Sequence, residues 1–208
     1  MKKTIPPQSL PHPWHGIKAW QKEDIYLNAF IEMTPVDSVK YEIDKESGFL
    51  MVDRPQKFSN IVPALYGFVP RTYCGDRVAQ ICMDQTGMQN IKGDTDPVDI
   101  CVLTERNIAQ GYLIVPAIPI GGLRMIDKGE ADDKIIAILK GDEVFSNFKS
   151  IEDCPPTLVD RLKHYFLTYK QIPGEEIANV EIAEVYGREK AMEVIKASEE
   201  DYKTLFEL

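Results

Sequence analysis

Three aspartates fall within six residues of KGDTDPVDICVL, namely Asp94, Asp96 and Asp99, with no basic residue among them. An apolar, strand-like run follows at once. On a strand, residues i and i+2 share a face, so Asp99 points opposite to Val98 and Ile100. Pro97 keeps Thr95-Asp96 extended. Carboxylates gathered in this way repel, and some would stay protonated. A hard divalent cation such as Mg²⁺, which prefers oxygen ligands, removes the conflict. Two other readings stand beside this one. The stretch could be a solvated acidic turn. It could also be an EF-hand loop, with Asp94, Asp96 and Glu105 at the first, third and twelfth positions, but Asp99 occupies the sixth, where that loop needs glycine.

A second acidic group, Asp127, Glu130, Asp132 and Asp133 in MIDKGEADDKIIAIL, also precedes a strand-like run. Neighbouring barrel strands could bring the two loops together, and there are carboxylates enough for more than one metal ion. Positive charges occur in matching contexts. Lys40 and Glu42 share one strand face, Arg54 ends the next strand, Lys134 begins the strand after the second acidic loop, and Lys170 follows Tyr169 at a helix end. Together these residues describe a site for cations and a phosphate-like anion. The chain has no GxSxG elbow and no GxxxxGK[ST] phosphate loop, so neither an acyl-enzyme nor a P-loop mechanism is indicated.

The elements that must position these groups are mostly strands. Alternation and turn residues predict strands over 38–44, 48–54, 60–68, 78–84, 98–103, 112–120, 122–127 and 133–139, the first two forming a hairpin. Helix is expected only late: 157–170, with Thr157 as N-cap and Leu158, Leu162, Tyr165, Phe166 and Tyr169 on one side, and 188–208, with Ala191, Val194, Ile195 and Tyr202 inward. A strand over 178–186 lies between them. Residues 1–16, rich in proline, read as an extended arm. Many short strands first and helices last predict an α+β fold, with a closed or nearly closed barrel because closure removes sheet edges. No linker divides the chain, so residues 1–208 read as a single domain.

The 208-residue chain is 44% hydrophobic and 27% charged, with net charge −9. That balance suits a globular protein and argues against a bulk nucleic-acid binder, which carries a basic face. Cys74, Cys82, Cys101 and Cys154 form no CxxC pair and stand in no ligand-like spacing with His12, His15 or His164, so a zinc site is not indicated. No stretch approaches the roughly 20 apolar residues of a membrane span, and the N-terminus has no apolar signal region. A cytoplasmic location with no membrane partner is the expectation.

DTDPVDI resembles the signature of the soluble family I inorganic pyrophosphatases. EDIYLNAFIEM, VKYEIDKESGFLMVDR, YGFVP, LRMIDKGEADDK and HYFLTYK resemble that family's blocks, in the family's order. The resemblance implies Mg²⁺-dependent hydrolysis of inorganic diphosphate to two orthophosphates by a metal-activated water. It implies a distorted five-stranded, OB-like β-barrel with additional strands and two main α-helices packed outside. It also implies roles. Asp94, Asp99, Asp127 and Asp132 would hold several Mg²⁺ ions, with Glu42 and Glu130 contributing through waters and Glu32 in the wider acidic shell. Asp96 would accept the proton of the attacking water, and Lys40, Arg54, Tyr66, Lys134, Tyr169 and Lys170 would contact phosphate. Mn²⁺ or Zn²⁺ are candidate substitutes for Mg²⁺. A homo-oligomer, hexamer or dimer, is the expected assembly. Lys128 departs from the family, which commonly carries an acidic residue there, and Val62 stands where bacterial members often have tyrosine. The alternatives are an OB-type single-stranded nucleic-acid-binding module and a metal-dependent hydrolase of organic phosphates.

Overall fold

The structure is a computed structural model that describes residues 12–21, 26–172, 174 and 179–206. Its strands, in chain order, are β1 (Trp20–Gln21), β2 (Tyr26–Met33), β3 (Val39–Ile43), β4 (Leu50–Pro55), β5 (Leu65–Phe68), β6 (Lys92–Gly93), β7 (Asp99–Leu103), β8 (Leu113–Asp127), β9 (Glu130–Ala131), β10 (Lys134–Leu139) and β11 (Val180–Gly187). The helices are α1 (Asp76–Thr86), α2 (Pro156–Thr168) and α3 (Arg188–Phe206), with a short 3₁₀ turn at Ile151–Asp153.

Five strands close on themselves in the order β2–β5–β7–β10–β8 and back to β2. Every pairing in this ring is antiparallel except β7 with β10, which is parallel. The expected OB-like five-stranded barrel is therefore present, with β1, β6, β9 and β11 added to it and the helices outside. Alternation along β7 and β10 feeds two apolar clusters. Ile100, Val102, Ile135 and Ala137 join residues of α1 and α3, among them Val78, Val194 and Ile195. Cys101, Leu103, Ile136 and Ile138 join Leu162, Tyr165 and Phe166 of α2. Both strand faces are thus buried, which is why these segments read as nearly continuous apolar runs.

Several elements differ from the sequence expectation. Residues 78–84 are not a strand but the middle of α1, whose buried residues Val78, Ala79 and Cys82 lie at helical spacing. Its first turn is capped from a distance: the Asp201 carboxylate accepts the backbone N–H groups of Gly75, Arg77 and Val78. β2, buried along almost its whole length, has no alternation to show it as a strand. Of 60–68, only Leu65–Phe68 is strand. The expected strands 112–120 and 122–127 are one strand, β8, because β11 pairs straight across the glycine pair that reads as a turn (Tyr186 with Gly122, Gly187 with Gly121). α2 begins with Pro155 as N-cap and Pro156 in its first turn, rather than at Thr157, as suits a residue without an N–H to satisfy. Of the expected N-terminal arm, residues 1–11 lie outside the described residues, and His12–His15 form a buried turn rather than an extended segment.

Gly93 shows how tightly the acidic turn is seated. A Cβ on Gly93 would lie 2.1 Å from the Cys74 carbonyl oxygen. Gly93→Ala is expected to destabilise the fold by about 1–3 kcal/mol through overpacking against backbone. For a chain of this size that lowers Tm by about 2–4 °C per kcal/mol; a thermal scan matching the wild type would show that the loop gives way freely.

Candidate active site

The parallel pairing of β7 with β10 explains how two distant acidic loops meet. Each loop precedes its strand, and parallel strands start at the same rim. Asp99 and Lys134 are direct partners in the ladder. The Lys134 ammonium donates to Asp99 Oδ2 and to Asp132 Oδ1. From β5, next to β7, the Tyr66 hydroxyl donates to Asp99 Oδ2 at 2.6 Å. Lys134 is 2% exposed. Burial works against its charge, but Asp132 and Asp99 outweigh burial and hold its pKa well above the ordinary lysine value.

The DTDP turn is held by the loop before α1. Cys74 N–H donates to the Asp96 carbonyl at 2.8 Å, Thr95 N–H to the Cys74 carbonyl at 3.1 Å, and Val98 N–H to Thr72 Oγ1 at 3.0 Å. Asp96 N–H donates to Asp94 Oδ1 at 3.0 Å, and Thr95 adopts φ 69°. These bonds turn Asp94 and Asp96 inward.

The β3–β4 hairpin supplies the facing wall. Lys40 and Arg54 are cross-strand partners, so two cations stand side by side. The register slips between Lys40 and Tyr41, which leaves Asp53 as the extra residue of a bulge. Asp53 then reaches both neighbours: it contacts Arg54 and lies 3.1 Å from Lys40, which also hydrogen-bonds Glu42. At the end of α2, Tyr169 lies beneath Arg54, with the guanidinium 5.8 Å from its ring centre, and Lys170 donates to Asp127 Oδ2.

One cavity of about 390 Å³ is lined by Asp94, Asp96, Asp99, Asp127, Glu130, Asp132, Glu42, Lys40, Arg54, Tyr66, Lys134, Tyr169 and Lys170, together with Glu32. The site residues that the family resemblance assigns come together there. Asp133 of the second acidic group does not: it is buried away from the cavity, where its carboxylate accepts the Tyr186 hydroxyl at 2.9 Å and lies 3.5 Å from Arg124. Lys45 and Asp53 also line the cavity and escaped notice. Lys45, at the hairpin tip, donates to Asp96 Oδ1. Asp53 should face away by simple alternation, and only the bulge turns it in. Lys128 is exposed and stands outside the lining.

The donor set suits a divalent cation. It is all oxygen, with no histidine or cysteine among the lining residues, which favours hard ions over zinc. Asp127 Oδ1 is buried without a hydrogen-bond partner. Burial, and then the neighbouring Asp132, push Asp94 up to about 9, as crowding of buried carboxylates does. Among the described residues no three acidic, histidine or cysteine side chains converge on one point as a ready ligand set; lysine ammonium groups engage the carboxylates instead. Glu32, on β2, is pushed up to about 8 by burial, opposed by the Ile43 N–H it accepts at 2.8 Å. On the anion side, Arg54 Nη2 is buried and unpartnered.

Barrel and cavity together define an OB-like β-barrel protein with carboxylates and cationic side chains gathered in one cleft. The family model described as inorganic pyrophosphatase matches residues 29–203. An inorganic pyrophosphatase of Chlamydia trachomatis is 52% identical over 210 residues, covering 99% of this chain and 100% of that one. The solved inorganic pyrophosphatase of Helicobacter pylori is similar with a TM-score of 0.70 and 34% identity, over 86% of this chain and 94% of that one. The Thermus thermophilus enzyme, at 24% identity, shares the fold with a TM-score of 0.76 over 92% of this chain and 99% of that one. The chain belongs to the soluble family I inorganic pyrophosphatases and is an inorganic diphosphatase. Among the described residues no helix is long and apolar enough to cross a membrane.

Proposed function

We propose that this chain hydrolyses inorganic diphosphate to two orthophosphates with Mg²⁺ held by Asp94, Asp99, Asp127 and Asp132, and with Glu42 and Glu130 acting through waters. The observation that carries this reading is that every one of these carboxylates lines the same cavity as Lys40, Arg54, Lys134 and Lys170. Divalent ions, when bound, neutralise phosphoryl oxygens and acidify the attacking water. The chain's own groups do the rest. Asp96 accepts the proton of that water. Lys40 and Arg54, on one hairpin face, stabilise the leaving phosphate, and the free Arg54 Nη2 is a donor ready for a phosphoryl oxygen. Lys134, held between two carboxylates, supplies a fixed positive charge. Tyr169 offers a hydroxyl donor on a ring packed against Tyr165; Tyr66, packed on Phe166, would contact phosphate by turning its hydroxyl from Asp99 to a phosphoryl oxygen, and Lys170 adds a further cation. No nucleophilic side chain is needed, and no covalent intermediate forms.

Mn²⁺ and Zn²⁺ are substitutes to be tested, the all-oxygen lining favouring the harder ion. The chain is further read as one domain, cytoplasmic, and as a homo-oligomer, hexamer or dimer. A substrate panel tests the reading of the site. With Mg²⁺, diphosphate is expected to turn over at least about a hundredfold faster than nucleotides or sugar phosphates, because the leaving group must itself be a phosphate able to accept the Lys40 and Arg54 contacts. Equal turnover of organic phosphates would overturn the assignment.

A further inference from the structure

We propose that the His12–Gly16 turn is a positioning bracket that holds the β3–β4 hairpin over the cavity, resting on the role of Lys40 and Arg54 given above. The hairpin is a two-stranded sheet of its own, outside the barrel's ladder. Two strands alone are marginally stable, so a few side-chain contacts set where this one sits. Ile43 N–H reaches Glu32 on β2, and Ile43 and Leu50 pack with Trp14 and Phe68. At its base, Gln56 Nε2 donates to the Tyr165 hydroxyl at 3.2 Å.

The tip is held by the bracket. A Cβ on Gly48, which has φ 75°, would lie 2.7 Å from Pro13 Cδ and 2.8 Å from His12 Cδ2. The tip therefore lies flush against the His12 ring, which is 2% exposed. Burial lowers the His12 pKa, with the Lys45 backbone and the Asp44 carboxylate of the tip opposing it. The bracket is rooted at its other end. His12 Nδ1 accepts Trp14 N–H at 3.1 Å, Trp14 Nε1 donates to the Thr72 carbonyl at 2.8 Å, and Arg71 N–H to the Trp14 carbonyl at 2.9 Å. His15 Nδ1 lies 2.7 Å from the Tyr202 hydroxyl of α3. Thr72 in turn holds Val98, next to Asp99. One turn thus touches the support of the acidic loop on one side and the tip of the cationic hairpin on the other.

A ligand that binds only the seated hairpin loses affinity in proportion to the fraction seated, while turnover of the bound complex is unchanged. His12→Asn separates the bracket's two jobs. An asparagine oxygen still accepts the backbone N–H groups of the turn, but the ring behind Gly48 is gone. If the variant leaves about a tenth of the molecules seated, KM for Mg–diphosphate rises about tenfold, with kcat within about twofold. Backbone amides of 39–55 should exchange faster, and those of β7 and β10 should not. Gly48→Ala, which displaces the tip from the other side, should raise KM in the same direction. Wild-type KM and wild-type exchange in both variants overturn the bracket, as does a loss of kcat at unchanged KM. A wild-type chain unable to hydrolyse Mg–diphosphate would instead overturn the reading of the site, which separates the two failures.

Discussion

Asp99→Asn is expected to lower diphosphate turnover by more than about a hundredfold, the upper range for losing even an outer partner of a metal site. The side chain keeps its volume, so the loss is electrostatic. In the wild-type chain Asp99 receives both the Tyr66 hydroxyl and the Lys134 ammonium. Both donate to the same oxygen, Oδ2, which an amide oxygen can still supply; the NH₂ then stands in the place of Oδ1 and offers donors where the cation needs an acceptor. The substitution also removes a negative charge from the proposed cation site, so the Mg²⁺ concentration giving half-maximal rate should rise. The check is kcat at saturating Mg²⁺, with a thermal scan to show that the barrel is intact. Turnover within about threefold of wild type would remove Asp99 from the site.

Lys134→Met is the second large effect, and it should act on stability and rate together. Lys134 Nζ bridges Asp99 and Asp132, whose side chains are 22% and 13% exposed, and lies 5.6 Å from the Phe166 ring centre. Methionine fills the space under that ring. It leaves two carboxylates facing each other with no cation between them. Breaking a fully buried pair costs about 3–5 kcal/mol; partial exposure of both carboxylates lowers the figure here, and about 2 kcal/mol would reduce Tm by about 4–8 °C. Added Mg²⁺ should raise the variant's Tm by more than it raises the wild type's, because the ion replaces the missing charge. Turnover should not return with it, since the fixed charge offered to substrate is gone. A variant with wild-type Tm in the absence of Mg²⁺ and ordinary turnover in its presence would contradict both halves.

How much of this could be read in the chain follows from where each constraint lies. The hairpin, β7 and β10 are local: alternation marks the hairpin, short apolar runs bounded by turn residues mark β7 and β10, and α2 and α3 carry their buried side chains at helical spacing. α1 reads as a strand in the sequence because its cap, Asp201, is supplied by a different helix, leaving no Ser, Thr, Asp or Asn signal at Gly75. β2, buried on both faces, neither alternates nor forms an unbroken apolar run, because Asn28 and Glu32 interrupt it, and β8 reads as two strands because of the glycines that lie under β11. The acidic and basic residues of the two loops and the hairpin stand out by type and spacing, while Glu32 and Tyr66 enter only through the family resemblance. What brings them together has no such signal. Parallel pairing of β7 with β10 and the bulge at Asp53 are settled by the closure of the barrel and the slip of one hairpin. Lys45 gave no signal either, because a lysine at a hairpin tip is ordinary until Asp96 is found beside it.

The most direct test follows the phosphorus itself. Purified chain is incubated with diphosphate in an NMR tube and the ³¹P spectrum recorded without divalent ion, after adding Mg²⁺, and after adding excess chelator. The account predicts a static diphosphate resonance at first, its conversion to orthophosphate alone once Mg²⁺ is present, and arrest on chelation. Conversion at an undiminished rate with the chelator present, or no conversion with Mg²⁺, would contradict it.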